Sequence, residues 1–384
     1  MTFDFTIFNQ GTFVGRIWRA DVKGPAIVHI RNGVVFDISS KQTPTMSDLI
    51  ERDDLLNFIK RVEGDRLCSL EELFLESQKD AEETQHHILA PCDLQAIKAC
   101  GVTFAQSMLE RVIEEKATGN PLEAARIREL VSSIIGNSLH NVKAGSQEAQ
   151  QIKATLIKEN MWSQYLEVGI GPDAEVFTKA QPLSSVGYGS KVGLHPISQW
   201  NNPEPEMVLA IDSKGRAKGA TLGNDVNLRD VEGRSALLLG KAKDNNASTS
   251  IGPFIRLFDE TYSMDDVREA DVFLHIEGTN GFTLDEHSSM KEISRDPVDL
   301  INQTIGKHHQ YPDGLMLFMG TLFSPTKDRD VEGEGFTHKY GDIVTISNDK
   351  LGALVNSVDS STQCPPWKMG ISFMFKNLSQ RHLL

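Results

Sequence analysis

The chain has 384 residues, 39% of them hydrophobic, which is enough for a large core and for more than one domain of average size. Its 39 Lys and Arg residues against 53 Asp and Glu residues give a formal net charge of −14, which disfavours nucleic acid and anionic lipid as partners. The N-terminus lacks a signal-peptide pattern and no stretch approaches the roughly 20 apolar residues of a membrane span, so we expect a soluble, cytoplasmic protein.

The first 88 residues are predicted to form a small α+β domain. Short β-type runs occur at Phe3–Phe8, Phe13–Trp18, Ala26–Ile30 and Val34–Ile38, and residues 46–78 mix apolar and charged positions as helices do. A polar segment, residues 80–87, then precedes Leu89-Ala90-Pro91. We therefore predict a domain boundary near residue 88, with a second domain over residues 89–384.

Two helices are predicted after Cys100, from Ala105 to Ala117 and from Pro121 to about Ile135, because Gly119-Asn120-Pro121 interrupts the pattern. On the first helix Ser107, Glu110 and Arg111 share or flank one face. Charged residues on a helix are solvated more often than catalytic, so the pattern alone does not decide between these roles.

Lys179 ends a short strand-like run, Val176-Phe177-Thr178-Lys179. Its ammonium group could contact a substrate carboxylate. Spacing alone favours an ordinary exposed lysine.

The segment from Pro203 to Lys243 carries three acidic residues at hairpin spacing. Glu204 and Glu206 flank Pro205 ahead of the apolar run Met207-Val208-Leu209-Ala210-Ile211, so both should point to one face of a strand. A turn near Lys214-Gly215 would bring Asp225 back beside them. Three converging carboxylates repel one another unless a cation lies between them, and a divalent metal is the usual solution.

A second interpretation of this segment remains open at this point. Glu204 and Glu206 could lie on the solvated face of an edge strand, with Pro205 protecting that edge. Spacing alone gives the two interpretations equal weight. The chain beyond residue 243 is rich in β-type runs, near Val272–His275, Leu315–Met319 and Ile343–Ile346, and favours a closed or rolled β core.

Several ordered motifs together resemble the fumarylacetoacetate hydrolase superfamily over about residues 101–358. They are Gly101-Val102-Thr103-Phe104, Glu204-Pro205-Glu206, Gly223-Asn224-Asp225 with Arg229-Asp230, Lys243 before Gly252-Pro253, Met319-Gly320-Thr321, and Gly341-Asp342 before Leu351-Gly352. Ser107 with Arg111, and Asn227-Leu228-Arg229 followed by Val231-Glu232-Gly233, resemble the sugar-acid branch, the 2-keto-3-deoxypentonate (2-keto-3-deoxyarabinonate) dehydratases. The resemblance implies a mixed β-roll catalytic domain, α+β with a smaller N-terminal domain, and a homodimer or larger homo-oligomer.

The resemblance also implies a site and its ligands. Glu204, Glu206 and Asp225 match metal ligands for magnesium, with manganese as an alternative, and the substrate would be a small 2-keto acid. Lys243 matches the catalytic lysine and is preferred to Lys241, and a nearby cation would lower its pKa. The remaining matches are substrate contacts at Lys179, Thr321, Gly320, Arg111 and Thr103, and supporting residues at Arg229, which would orient Asp225, and at Glu232.

The chain departs from the hydrolase pattern at one position. Hydrolytic members use a His and a Glu on the helix after the Gly-x-x-aromatic motif to activate water, and this chain has Ser107 and Glu110 there. A serine hydroxyl does not act as that base, whereas dehydration needs no attacking water. Ser107 and Glu110 therefore stay candidate catalytic residues, and Glu110 or a metal-bound water could be the acid.

Three functions are consistent with the sequence. The first is a magnesium-dependent lyase that dehydrates a 2-keto-3-deoxypentonate to 2-ketoglutarate semialdehyde in a non-phosphorylating pentose pathway. The second is a hydrolase of acylpyruvates or diketo-deoxy sugar acids, or a decarboxylase, with the same metal site. The third is a catalytically silent protein that binds a keto acid. The missing histidine favours the first.

Overall fold

The computed structural model describes residues 4–79, 84–118, 120, 122–124, 126–127, 142–158, 162–323, 325, 327–330 and 335–384, with residues 105 and 106 described by their backbone. The second predicted helix, Pro121 to Ile135, and part of the predicted boundary segment fall largely outside these residues. Within the described residues, no helix combines the length and apolar character needed to cross a bilayer.

The strands form two main sheets. Their bounds are β1 Phe13–Arg19, β2 Gly24–Arg31, β3 Val34–Asp37, β4 Asp65–Ser69, β5 His87–Leu89, β6 Ala96–Gly101, β7 Glu175–Ala180, β8 Lys191–Leu194, β9 Asn201–Asn202, β10 Pro205–Ile211, β11 Ala217–Asp225, β12 Asn227–Leu228, β13 Thr249–Leu257, β14 Asp271–Glu277, β15 Thr283–Ser289, β16 Leu315–Phe318, β17 Ile343–Asn348 and β18 Gly352–Ser360. The larger sheet has 11 strands in the order β4-β3-β2-β1-β13-β11-β10-β16-β6-β7, with β5 paired to β1. A five-stranded sheet has the order β15-β14-β17-β18-β8, and β9 pairs with β12.

Short helices surround these sheets. They are α1 Met46–Ile50, α2 Leu55–Arg61, α3 Leu70–Ser77, α4 Ala105–Lys116, α5 Gln147–Lys158, α6 Gln164–Ile170, α7 Arg229–Glu232, α8 Leu239–Lys243, α9 Met264–Arg268, α10 Pro297–Thr304 and α11 Ile371–Gln380. The first helix predicted after Cys100 is confirmed as α4. The mixed, β-rich architecture predicted from the sequence is therefore confirmed.

The N-terminal segment differs from the prediction in two respects. The predicted strand Phe3–Phe8 begins outside the described residues, and Phe5–Asn9 form a 3-10 helix instead of a strand. The Asp4 carboxylate accepts the Thr6 backbone N–H at 2.9 Å and caps this helix. Strand β1 pairs with β13 of the second predicted domain, so the larger sheet is continuous across residue 88. Strands from both sides of the predicted boundary near residue 88 therefore belong to the same sheet.

Strand β10 lies inside the larger sheet and carries the core on both faces. It is hydrogen-bonded to β11 on one side and β16 on the other, and all seven of its residues are buried. Met207 and Leu209 pack into the core shared with the five-stranded sheet, whereas Val208 and Ala210 pack against the opposite face, beneath α1 and α2. A strand buried on both faces is a continuous apolar run, which explains the sequence Met207–Ile211.

Helices α4, α5 and α6 form a separate layer with its own apolar cluster. Met108 and Val112 of α4 pack with Leu156 of α5 and Leu166 of α6, and Trp200 closes the cluster beside the larger sheet. The polar face of α4 is thereby turned towards the end of the hairpin formed by β10 and β11.

Candidate metal centre and active site

The hairpin of β10 and β11 brings three carboxylates together. Pro205 lies opposite Asn224 and Glu206 opposite Gly223, and the Asp225 backbone N–H donates to the Glu204 carbonyl at 3.0 Å. Glu204, Glu206 and Asp225 each offer an oxygen atom within 4.8 Å of the others. All three are at most 2% exposed, inside the sheet, so the edge-strand interpretation is wrong and the predicted cluster is confirmed.

The chemistry of this donor set fits a hard divalent cation. Burial, and then the neighbouring Asp225 and Glu204 carboxylates, raise the pKa of Glu206 well above its ordinary value, which is the repulsion that a cation would relieve. The Gly320 N–H donates to Glu206 Oε2 at 2.7 Å and fixes its orientation. Oxygen ligands from clustered carboxylates are those that magnesium takes.

The charges around these carboxylates lead to the same conclusion. Six buried carboxylates, Glu110, Glu114, Glu204, Glu206, Asp225 and Glu232, accompany four buried cations, Arg111, Arg229, Lys179 and Lys243. With all ten ionised, the six negative and four positive charges leave a formal charge of −2, and Glu175 on the cavity wall adds a further negative charge when it is ionised. One divalent ion would neutralise the charge of this group of ten, so the residues present are suited to hold magnesium.

Lys243, at the end of α8, lies at the carboxylate cluster. Its Nζ is 2.5 Å from Glu204 Oε2 and 3.1 Å from Asp225 Oδ2, whereas Lys241 is exposed. The preference for Lys243 therefore agrees with the geometry. With the carboxylates alone, burial lowers the pKa of Lys243, but Asp225, Glu204 and Glu232 outweigh burial and raise it above its ordinary value. The lowering expected beside a bound cation stays a prediction.

Strand β7 contributes the predicted lysine Lys179 and a carboxyl group, Glu175, that the sequence analysis did not single out. Lys179 is fully buried rather than exposed, with Nζ 2.9 Å from Asp225 Oδ1, and burial lowers its pKa. Two residues apart along the same strand, Phe177 and Glu175 line a cavity beside the carboxylate cluster, and burial raises the pKa of Glu175. Glu175, Phe177 and Lys179 are spaced two residues apart and therefore share one face of the strand, and this spacing was the sequence signal that could have identified Glu175.

Helix α4 presents its predicted residues to different partners. The Ser107 hydroxyl, which lines the cavity, donates to the Phe104 carbonyl of its own helix at 2.9 Å. Arg111 forms ion pairs with Glu204, with Glu114 at 2.5 Å and with Glu232 at 3.0 Å. Its guanidinium therefore lies on the cavity wall, against the carboxylate cluster.

Arg229 has partners other than the predicted one. Its Nε lies 2.6 Å from Glu114 and its Nη2 2.9 Å from Glu110, and its guanidinium stacks 4.2 Å from the Trp200 ring. Both oxygens of Asp225 face lysines instead. Arg229 thus holds helix α4 and not Asp225, and the Glu110 carboxylate is engaged by Arg229.

Of the substrate contacts predicted near the end of β16, Thr321 lines the cavity, whereas Thr103 and Gly320 make contacts that hold the strand ends together. The Thr103 hydroxyl donates to the Met319 carbonyl at 2.7 Å and joins the end of β6 to the end of β16. Gly320 has φ 98° and its Cβ position lies 1.9 Å from Thr103 Oγ1, so a side chain has no room there. Thr321 lines the cavity, and its hydroxyl donates to the Phe323 carbonyl at 3.0 Å.

The cavity itself is small and polar. The described residues lining it are Cys100, Gly101, Val102, Ser107, Arg111, Glu175, Phe177, Glu204, Glu206, Asp225, Glu232, Lys243 and Thr321. It has about 20 Å³ of free space, which is room for roughly one water-sized sphere. Burial raises the pKa of Glu232 to about 7.

Known proteins resemble this chain in sequence and in fold. The profile of the fumarylacetoacetate (FAA) hydrolase C-terminal family matches residues 170–359. A Haloferax volcanii protein described as "Probable 2-keto-3-deoxyxylonate dehydratase" is 26% identical over 329 residues, covering 84% of this chain and 94% of its own length. The 2-dehydro-3-deoxy-D-arabinonate dehydratase of Saccharolobus solfataricus is 32% identical over 191 residues, covering 48% of this chain and 58% of its own length.

A solved structure described as 2-keto-3-deoxy-D-arabinonate dehydratase complexed with magnesium and 2,5-dioxopentanoate superposes with a TM-score of 0.63 at 20% identity. The superposition covers 91% of this chain and 99% of that one. The matched region contains Glu204, Glu206, Asp225 and Lys243. Residues 170–359 therefore match the profile of the fumarylacetoacetate hydrolase C-terminal family, within a chain that has the fold of 2-keto-3-deoxy-D-arabinonate dehydratase.

Proposed function

We propose that the protein is a magnesium-dependent lyase that dehydrates a 2-keto-3-deoxypentonate to 2-ketoglutarate semialdehyde, which is 2,5-dioxopentanoate. The observation that carries the proposal is the buried cluster of Glu204, Glu206 and Asp225 with Lys243 in contact with two of them. The two relatives described as dehydratases of such keto acids support the substrate class.

The proposed reaction removes a proton from carbon 3, beside the ketone, and hydroxide from carbon 4, so that one water is lost. Loss of a proton from carbon 5 and gain of one at carbon 3 then move the resulting double bond to carbons 4 and 5. The enol formed in this way becomes the aldehyde when its hydroxyl proton is lost and a proton is added at carbon 4. When bound by Glu204, Glu206 and Asp225, magnesium would supply Lewis-acid stabilisation of the charge that develops on the keto oxygen. The chain must supply a base, an acid and groups that orient the carboxylate of the substrate.

We assign these roles by position. Lys243 is the proposed base, because its Nζ lies at the carboxylate cluster and on the cavity wall. The carboxylates raise its pKa, and a divalent cation held by them would offset this effect and favour the neutral amine that a base requires. Glu175 is the proposed acid for the departing hydroxide, because it lines the cavity, whereas Glu110 is held by Arg229. Arg111 and Thr321, also on the wall, are the proposed contacts to the substrate.

The position of Ser107 favours dehydration over hydrolysis. Ser107 is 1% exposed and its hydroxyl donates to a backbone carbonyl, so it offers no base to activate a water molecule. The hydrolase is therefore the second candidate function, and its distinguishing substrates are acylpyruvates.

The experiment is a direct assay of both reactions. Purified protein with magnesium is incubated with each stereoisomer of the keto-deoxy-pentonate, and semialdehyde formation is followed; acylpyruvates are assayed in parallel. Formation of the semialdehyde from one or more pentonates is expected. Cleavage of acylpyruvate without dehydration of any pentonate would replace the proposal with the hydrolase, and keto acid binding without turnover would indicate a silent binding protein.

Three accompanying predictions belong to the same proposal. Manganese is expected to replace magnesium, because it accepts a similar set of oxygen ligands. A homodimer or larger homo-oligomer is expected, and light scattering after size-exclusion chromatography measures it. The cytoplasmic location stays a prediction from the sequence.

A further inference from the structure

Glu114 lies between two arginines beside the carboxylate cluster. Its Oε2 is 2.5 Å from Nη1 of Arg111, and its Oε1 is 2.6 Å from Nε of Arg229. Glu114 is 1% exposed, in the interior where helix α4 meets α7. Each carboxylate oxygen therefore serves a different guanidinium.

The two arginines connect this carboxylate to different parts of the site. Arg111 reaches Glu204, in the carboxylate cluster, and Glu232, on the cavity wall. Arg229 contacts the Pro325 carbonyl at 3.3 Å and stacks on Trp200. Glu114 thus links Arg111 to Arg229, whose other contacts lie outside the cavity, and this link restrains the orientation of the Arg111 guanidinium.

A neutral side chain of the same shape would not replace this carboxylate. A glutamine in place of Glu114 accepts hydrogen bonds at one atom only and presents N–H donors to the second guanidinium. Two buried cations would then lie side by side without the anion between them. Each would be held only by its remaining carboxylates, Arg229 by Glu110 and Arg111 by Glu204 and Glu232. Arg111 would be free to redistribute towards Glu204 and Glu232.

We propose that Glu114 is a positioning residue that, by bridging Arg111 and Arg229, aims the Arg111 guanidinium at Glu204 and at the cavity. It contacts the reacting groups only through Arg111. The effect on turnover rests on the proposed function, whereas the effect on metal binding does not.

The test compares Glu114→Gln with Glu115→Gln. Glu115 lies on the same helix and loses the same charge, but contacts Ser163 Oγ at 2.5 Å and Gln164 Nε2 at 3.0 Å and not the arginines. Magnesium affinity is measured by calorimetry without substrate, and kcat and KM by the dehydration assay. Glu114→Gln is expected to weaken magnesium binding about tenfold and to lower kcat/KM by about ten- to a hundredfold, with Glu115→Gln within about twofold of wild type.

A double-variant cycle separates positioning from a general structural role. If Glu114 acts through Arg111, the variant carrying both Glu114→Gln and Arg111→Gln loses no more kcat/KM than Arg111→Gln alone. The proposal would be overturned if the losses of kcat/KM from Glu114→Gln and Arg111→Gln multiply in the double variant. It would also be overturned if Glu114→Gln and Glu115→Gln weaken magnesium binding equally.

Glu114→Asp covers the case in which Glu114→Gln does not fold. Glu114→Asp keeps the negative charge, and we expect it to bind magnesium more tightly than Arg111→Gln does. A magnesium affinity no better than that of Arg111→Gln would count against the positioning role. A wild-type protein inactive on every pentonate would refute the proposed function while the magnesium comparison still decides the role of Glu114.

Discussion

Replacing Lys243 by Met should separate proton transfer from metal binding. Lys243 Nζ contacts Glu204 at 2.5 Å and Asp225 at 3.1 Å, and each carboxylate keeps a second cation, Arg111 and Lys179 respectively. Because neither carboxylate is left unpaired, we expect the free energy of unfolding to fall by about 1–2 kcal/mol, less than the roughly 3–5 kcal/mol for an ion pair broken on one side. Urea unfolding measures this loss.

Turnover should respond far more strongly than stability. Loss of the base lowers kcat by about 10²–10⁴-fold, while magnesium affinity stays equal or becomes tighter because a positive charge beside the carboxylates has been removed. The exposed Lys241 supplies the control, since Lys241→Met should change stability by less than about 0.5 kcal/mol and leave kcat unchanged. If Lys243→Met keeps more than about a tenth of the wild-type kcat, or if Lys241→Met loses as much, the assignment of the base is refuted.

The remaining predictions concern metal binding, a buried ion pair and acid stability. Glu206→Gln should weaken magnesium binding at least about 100-fold in calorimetry, because one of three buried carboxylates is lost, and unchanged affinity would argue against this metal site. Arg329→Met should cost about 3 kcal/mol in urea unfolding, because the guanidinium contacts both oxygens of the fully buried Asp342, at 2.5 and 2.7 Å; a loss below about 1 kcal/mol would contradict this. Burial lowers the pKa of His29 to about 4, and its Nδ1 accepts a hydrogen bond from Arg31 Nε at 2.9 Å. As the pH falls, His29 is therefore protonated in the unfolded chain before it is protonated in the folded protein, which favours unfolding. Stability should fall by about 3 kcal/mol between pH 6.5 and pH 4, and His29→Gln should reduce this dependence; an unchanged pH profile in that variant would contradict it.

The hairpin was within reach of the sequence because its contacts are local. Glu204, Glu206 and Asp225 lie within 22 positions, the apolar run and the turn define two paired strands, and the two-residue period puts both glutamates on one face. Spacing could not show whether β10 lies at an edge or inside the sheet. That depends on β16, which begins more than 100 residues after β10 ends and covers the other side of β10.

The contacts between helix α4 and the hairpin were beyond sequence reasoning for the same reason. The roles of Glu114 and Glu175 depend on which side chains meet across distant segments, and the sequence pattern alone left α4 with a charged face of undecided role. The contact expected between Arg229 and Asp225 failed because two lysines occupy that carboxylate.

The sequence by itself determined the β-rich fold and the carboxylate hairpin, because both follow from local periodicity and turn residues. Its ordered motifs showed the resemblance to the fumarylacetoacetate hydrolase superfamily, whose C-terminal profile matches residues 170–359. The tertiary structure decided that these carboxylates are buried, that Lys243 and not Lys241 meets them, and that Arg229 holds α4 instead of Asp225. These outcomes depend on burial and on long-range ion pairs, which bring together residues that no local pattern relates.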